Sequence, residues 1–183
     1  MRDSKQDILH FWFVESQPAQ WFQRNDDFDA LIRDRFLSTV QMARDGLCDS
    51  WADQAEGALA LCIVLDQFPR NIFRDQATAF ASDEKALEIA VGAIAKGFDR
   101  IFVPLRRRFF YLPYEHSEHM EHQDRSVDLF GTMRDSDPVA YEYALRHCDM
   151  IRQFGRFPHR NAALGRESTK AELLYLSQPG AGF

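Results

Sequence analysis

Along most of the chain the apolar side chains recur at three- and four-residue steps, the period of one buried helix face. Ser4-x-x-Asp7 marks a helix start, and Ile8, Leu9, Phe11, Trp12 and Val14 then give a heavily aromatic first helix that must be buried. After Gln17-Pro18 and the pair Trp21-Phe22, Asn25 or Asp26 caps a second helix. Its stripe is Phe28, Leu31, Ile32, Phe36, Val40 and Ala43, and Gly46 stops it. A third helix over about 53–67 contains residues 58–65, apolar all round, which predicts a central position. Pro69 ends it, because the residue before a proline is pushed out of the α region, and residues 70–74 form a polar turn between aromatic anchors.

Ser82 caps a fourth helix with Ala86, Leu87, Ile89, Ala90, Ala93 and Ile94 as its buried stripe and Gly97 as its terminator. Pro104 stands at the first position of a short fifth helix over 105–112, which Pro113 ends or kinks. The sixth runs to about 134, starting either at Pro113 or, with Ser117 as its cap, at Glu118. Asp137-Pro138 opens a seventh helix with Val139, Ala144, Leu145, Cys148 and Ile151, closed by Gly155. A long polar loop over 156–166 follows, and Thr169-x-x-Glu172 is a capping box for a short last helix. About eight helices joined by short connections predict an all-α protein whose sequential helices are antiparallel neighbours.

Composition strengthens that reading. Val, Ile and Thr together supply only 19 of 183 residues, and β-branched side chains are the usual stock of strands. The length suits one domain over 1–183, with no linker to divide it. Cys48, Cys62 and Cys148 are odd in number, far apart and set in or near helical patterns, so they read as reduced thiols of a cytoplasmic protein. The first apolar run, 8–14, is too short for a signal segment, and no run approaches the roughly 20 residues of a membrane span. A net charge of −6 argues against a nucleic-acid partner. Of the 22 basic residues only Lys5, Lys85, Lys96 and Lys170 are lysine, leaving 18 arginines. Arginine offers a planar fork to carboxylates and phosphates, although surface ion pairing also accounts for such a bias, the run Arg106-Arg107-Arg108 included.

The densest chemistry lies in 111–125, YLPYEHSEHMEHQDR, with three histidines, three glutamates and an arginine. A metal set drawn from Glu115, His116, Glu118, His119 and His122 is tested by geometry. If the segment were helical, at about 100° per residue His116 and His122 would point roughly 120° apart, so no face collects them and no metal is expected. His119 and His122 then belong to a solvated surface. His116 faces the core with Gln123, either as a structural anchor or as an acid/base group. Glu115 orients that imidazole or pairs with an arginine.

A second feature is an echo: Gln67-Phe68-Pro69-Arg70-Asn71 and Arg156-Phe157-Pro158-His159-Arg160-Asn161 each set a basic residue and an asparagine behind an aromatic-proline step. Proline fixes a turn, phenylalanine anchors it, and the polar groups staple the loop or hold a ligand. There is no glycine-rich phosphate loop, G-x-S-x-G elbow, HExxH or paired CxxC, and no cofactor is expected.

Taken with an N-terminal FWF and a following Trp, the runs LDQFPRNIFR, AFASDEKAL, FYLPYEHSEHMEHQDRSVDLF and FGRFPHRNAALGRES make the chain resemble bacterial domain-of-unknown-function family 924 over nearly its whole length. The resemblance implies a TPR-like array of helical hairpins, although no clean repeat of about 34 residues is visible. It places Asp66, Gln67, Pro69, Arg70, Asn71, Pro113, Glu115, His116, Ser117, Glu118, Gln123, Arg125, Phe157, Pro158, Arg160 and Asn161 on family motif positions. His119 and His122 fall outside them. The family carries no established activity, so the resemblance implies a fold and not a function.

Three expectations follow. The first is a binding protein whose polar groove takes a peptide or a small anionic ligand through Arg70, Asn71, Glu118, Arg125, His159, Arg160 and Asn161. The second is a hydrolase in which His116 is the acid/base, Glu115 orients it, and Arg70 or Arg160 stabilises negative charge. The third makes the same residues an internal hydrogen-bond lattice. No nucleic-acid or membrane partner is expected.

Overall fold

A computed structural model describes residues 4–182, and all its regular structure is helical, with no strand among those residues. The first helix, α1 (Lys5–His10), opens with a reciprocal cap: Ser4 Oγ accepts the Asp7 N–H at 3.2 Å and the Asp7 carboxylate accepts the Ser4 N–H at 2.8 Å. It widens into a π-helical turn, Phe11–Glu15. There the Trp12 carbonyl accepts both the Ser16 hydroxyl, at 2.6 Å, and the Trp21 indole N–H, at 3.1 Å. A short helix absent from the sequence prediction, α2 (Pro18–Phe22), carries Trp21 onto Trp12, with ring centroids 5.7 Å apart. Val14, expected inside, is exposed.

Helix α3 (Asp26–Arg44) is capped as predicted, Asn25 accepting the Phe28 N–H at 3.0 Å, and buries Phe28, Ile32, Phe36, Val40 and Ala43 while Leu31 faces outward. Gly46 follows with φ +82°, the left-handed conformation that lets a chain leave a helix. The all-apolar stretch begins in α4 (Ala55–Cys62) and runs on into the turn after it, and its residues 58–65 are wholly enclosed. Close approach requires Gly57, since a Cβ there would lie 2.0 Å from the Trp51 carbonyl oxygen.

At Pro69 the expectation of a helix end fails. The chain continues from α4 through a π-helical turn, Ile63–Gln67, into α5 (Phe68–Ile72). The wider turn accommodates a residue that cannot donate to the carbonyls behind it. Leu65 O instead accepts the Ser82 hydroxyl at 2.7 Å, and Asp66 O accepts an Arg70 N–H at 2.7 Å. Ser82 does precede α6 (Asp83–Ala95), but its side chain serves Leu65 rather than capping that helix.

Helix α7 (Pro104–Glu115) begins at its proline as expected yet runs through Pro113 and stops only after Glu115. Neither predicted start of the next helix is observed: α8 (Met120–Gly131) begins three residues beyond Ser117. Then come α9 (Pro138–Phe154), capped by Asp137 and closed by Gly155 at φ +69°, and α10 (Lys170–Leu176), opened by the Thr169/Glu172 box. Val139 and Leu145, assigned to the buried stripe of α9, are exposed. Among the described residues the ten α-helical segments exceed the predicted eight by α2 and α5, the two that proline punctuation concealed.

The chain forms two compact units. One comprises Met1–Arg74 and Thr78–Pro113, the other Asp75–Ala77 and Tyr114–Phe183. The first is organised around an aromatic cluster in which Phe11 meets Phe36 at 4.9 Å, Phe36 meets Phe68 at 5.0 Å and Trp21 meets Phe109 at 5.2 Å between ring centroids. Each such ring withdrawn from water contributes about 1.5–3 kcal/mol. The second unit is built on the paired helices α8 and α9, with Met150, Ile151 and Phe157 packed against Met120, Phe154 and Tyr175. Among the described residues no helix is long and apolar enough to cross a membrane, and the three cysteines are buried thiols.

Candidate functional site

Because α7 stops at Glu115, Glu115 and His116 are not forced 100° apart as successive residues of one helix are. The wheel that separated the polar groups of 111–125 assumed helix across residues that are not helical. The helix end is held by Gln123, whose wholly buried side-chain amide donates to Glu115 O and to Ser117 O, each at 2.6 Å. Those carbonyls have no partner within α7, so one side chain on α8 fixes both the end of α7 and the turn bearing His116.

Into this corner α9 brings His147. Its Nδ1 lies 2.9 Å from Tyr143 O and 3.3 Å from Glu115 Oε1, and its ring centroid lies 6.1 Å from that of His116. Both neighbours of Nδ1 are acceptors, which puts the proton on Nδ1 and the lone pair of the neutral ring on Nε2. Burial holds His147 well below the usual imidazole range, and His116, Arg160 and His159 push it the same way, against the bond to Tyr143 O. Glu115 and His147 are almost fully enclosed, while His116 is half-buried. One donor atom from each of the three lies within 4.8 Å of the others.

Phe157 supplies the floor. Its ring stacks beneath the Arg160 guanidinium at 4.5 Å and meets His147 at 5.5 Å and His159 at 5.6 Å. The backbone of Phe157 is pinned in turn: Glu118 Oε1 accepts its N–H at 2.8 Å and its carbonyl accepts an Arg166 N–H at 3.1 Å. Arg166 grips Glu118 through its two terminal guanidinium nitrogens, at 2.7 and 3.0 Å, and its Nε–H donates to Asn161 Oδ1 at 3.0 Å. Burial opposes the charge on Glu118, but Arg166 and the Phe157 N–H prevail and hold its carboxyl below the usual range. Behind this loop Arg156 clasps Glu172 at 2.6 and 2.8 Å, which drives the Glu172 carboxyl far down.

The second unit therefore brings together Glu115, His116, His159 and Arg160 of the predicted set, with Glu118 and Asn161 as the braces of their loop. Arg125 is exposed on α8 and bonds to Tyr114. Arg70 and Asn71 belong to the first unit. Arg70 is bonded to Asp83 at 2.8 and 2.9 Å and to Asp66 at 3.1 Å; burial alone would lower its pKa, and the two carboxylates raise it instead. Asn71 donates to Asp29 at 2.7 Å, beside Arg74 on the same carboxylate. The sequence echo is not a structural one, since Pro69 lies inside a continuous helical run and Pro158 begins a 3₁₀ turn, Pro158–Arg160.

His147 was missed in the sequence, and its signal was present there. It sits three residues after Ala144 and four before Ile151, on the buried stripe of a strongly amphipathic helix, where an imidazole needs a partner.

These features define an all-helical protein with a carboxylate and several imidazoles gathered at the end of one helix. The chain belongs to the family described as bacterial protein of unknown function (DUF924), whose model matches residues 8–180. It is similar to a structurally determined protein of unknown function from Agrobacterium tumefaciens, with 39% sequence identity and a TM-score of 0.89 over 94% of this chain and 96% of that one. No curated protein matches the chain.

Proposed function

We propose that the protein binds a small anionic ligand, of carboxylate or phosphate type, at the Glu115, His116, His147, His159 and Arg160 cluster of its second unit. The single observation supporting this is the convergence of three imidazoles and a guanidinium beside one carboxylate, around the Phe157 ring and the Glu115 and His147 contact. An anion lowers the electrostatic cost of such an array, and arginine and histidine are its natural donors. This reading leaves Arg70 and Asn71 out of the ligand set, because their donors serve Asp66, Asp83 and Asp29, and it makes Glu118 and Asn161 supports. It retains a TPR-like arrangement of helical pairs and a cytoplasmic setting, the latter in keeping with three buried thiols.

The Glu115 and His147 contact favours a second reading, in which the same cluster performs hydrolytic acid/base chemistry. The imidazole oriented by Glu115 is then that of His147 rather than His116. Titration with inorganic phosphate and with a small dicarboxylate, followed by calorimetry, tests the binding proposal. His159→Gln and Arg160→Gln should each weaken binding by about tenfold or more, the loss of one charge-assisted contact, while Arg70→Ala changes stability and leaves affinity alone. Equal affinities in all three variants would refute it. Turnover of an ester or phosphoester panel that His147→Gln abolishes would establish the second reading.

A further inference from the structure

We infer that Glu115, His116 and His147 form a site for one divalent transition-metal ion of the zinc class. The inference deepens the proposed anion site, sharing its residues, and its probe is the metal alone. Two imidazoles and a carboxylate are a recurrent three-ligand set for such an ion, leaving the fourth position to water or a substrate. The three donor atoms here come from the end of α7, the turn that follows it and the middle of α9, and lie within 4.8 Å of one another. On an ion with bonds of about 2.0–2.2 Å the ligand atoms of a tetrahedron sit roughly 3.3–3.6 Å apart. Closing that gap takes a movement of about 1 Å between side chains, which rotamer adjustment of Glu115 and half-buried His116 supplies.

The surroundings suit the ion in a second, independent way. Metal-binding imidazoles present one nitrogen to the ion while the other donates to a carbonyl or carboxylate that fixes the ring. The His147 ring is fixed in this manner, its Nδ1 lying 2.9 Å from Tyr143 O. Gln123 plays the corresponding part for the other two ligands by holding the backbone from which Glu115 and His116 project. The charges also add up coherently. A doubly charged ion with one carboxylate and two neutral imidazoles has a net charge of +1, and Arg160 on the Phe157 ring adds another. An anion or hydroxide is the natural occupant of the fourth position. Comparing His116 with His119 and His122 along one helix does not reveal this set, because His147 lies on α9.

The test uses the full chain, stripped with a chelator and exchanged into metal-free buffer. Zinc chloride is titrated by calorimetry, and cobalt(II) is added separately to follow its visible d–d absorption. One equivalent is expected, with cobalt spectra of a tetrahedral N/O site, and His147→Gln, His116→Gln and Glu115→Gln each weakening zinc by about 100-fold or more. Should His147→Gln fail to fold, the half-buried His116→Gln carries the comparison, with circular dichroism as the folding control. No stoichiometric binding would overturn the inference. So would binding that survives His116→Gln and disappears in His119→Gln or His122→Gln, whose rings lie 5.5 Å apart outside the cluster. Phosphate titration with and without zinc separates the two claims. Metal binding without phosphate binding refutes only the anion reading, and phosphate binding unaffected by chelator, in a chain that takes no zinc, refutes only the metal.

Discussion

Glu115 Oε1 lies 3.3 Å from His147 Nδ1, joining the last residue of α7 to the centre of α9, two positions far apart in the sequence. The pair exists because α7 persists through Pro113 and then stops, so that a carboxylate is delivered at a helix end instead of along a helix face. The remaining groups of the cluster are positioned by backbone restraints around that junction.

Gln123 is the restraint with the clearest consequence. Gln123→Ala removes two 2.6 Å bonds to the carbonyls that define the turn, at a cost of about 1–3 kcal/mol. If Gln123 also positions the ligands, zinc affinity measured well below the melting temperature should fall about tenfold, as for loss of an outer-shell partner. Unchanged affinity in a destabilised variant would leave Gln123 with a purely structural role.

The π-helical turn before Pro69 predicts a coupling between distant positions. Ser82→Ala should cost about 1–2 kcal/mol, because Leu65 O loses its hydroxyl donor. In a Pro69→Ala background a backbone N–H returns to this stretch, and the same substitution should cost at least about 0.5 kcal/mol less. Denaturant unfolding of the four proteins in the cycle measures this; identical costs in both backgrounds would exclude the link.

Gly57 has no room for a methyl group. Gly57→Ala places Cβ against the Trp51 carbonyl and should destabilise by about 3 kcal/mol or more, lowering the melting temperature by roughly 6–12 °C. Gly92→Ala on α6 is the control. Nothing lies within 4 Å of its Cβ, so thermal melts should show no loss and up to about 1 kcal/mol of gain from helix propensity.

The Glu172 carboxyl, held down by Arg156 and by the Thr169 cap, links stability to acid pH. Its folded value lies below the ordinary one of about 4.3, so its contribution is complete above that pH and is lost as pH falls below it. Melts at pH 7 should show Glu172→Gln less stable than the parent. The difference should narrow progressively below about pH 4, and a constant gap across that range would contradict the assignment.

Much of the fold is legible in the chain. Asn25, Asp137, the Thr169/Glu172 box and the glycines at 46, 97 and 155 mark helix ends where local chemistry decides them, and the structure has them there. The failures occur where a tertiary partner outweighs a local rule. Pro69 reads as a terminator and Pro113 as an end or a kink, yet one sits beside a π turn whose carbonyl Ser82 satisfies, and the other falls two residues short of an end held by Gln123. The site follows the same logic. Glu115 and His116 stand out in a dense run of polar groups, and Arg160 behind an aromatic-proline step. His147 is a single polar position on an apolar stripe, and pairing it with Glu115 requires knowing that α7 and α9 meet at one corner.

The central claim is that His116 and His147 are ligands of one ion, and nitrogen-15 NMR of the imidazoles during zinc titration tests it most directly, since the chain has only six histidines. At one equivalent the ring resonances of His116 and His147 should shift together in slow exchange while those of His10, His119 and His122 stay in place. Shifts confined to His119 and His122, with His116 and His147 unmoved, would contradict the account.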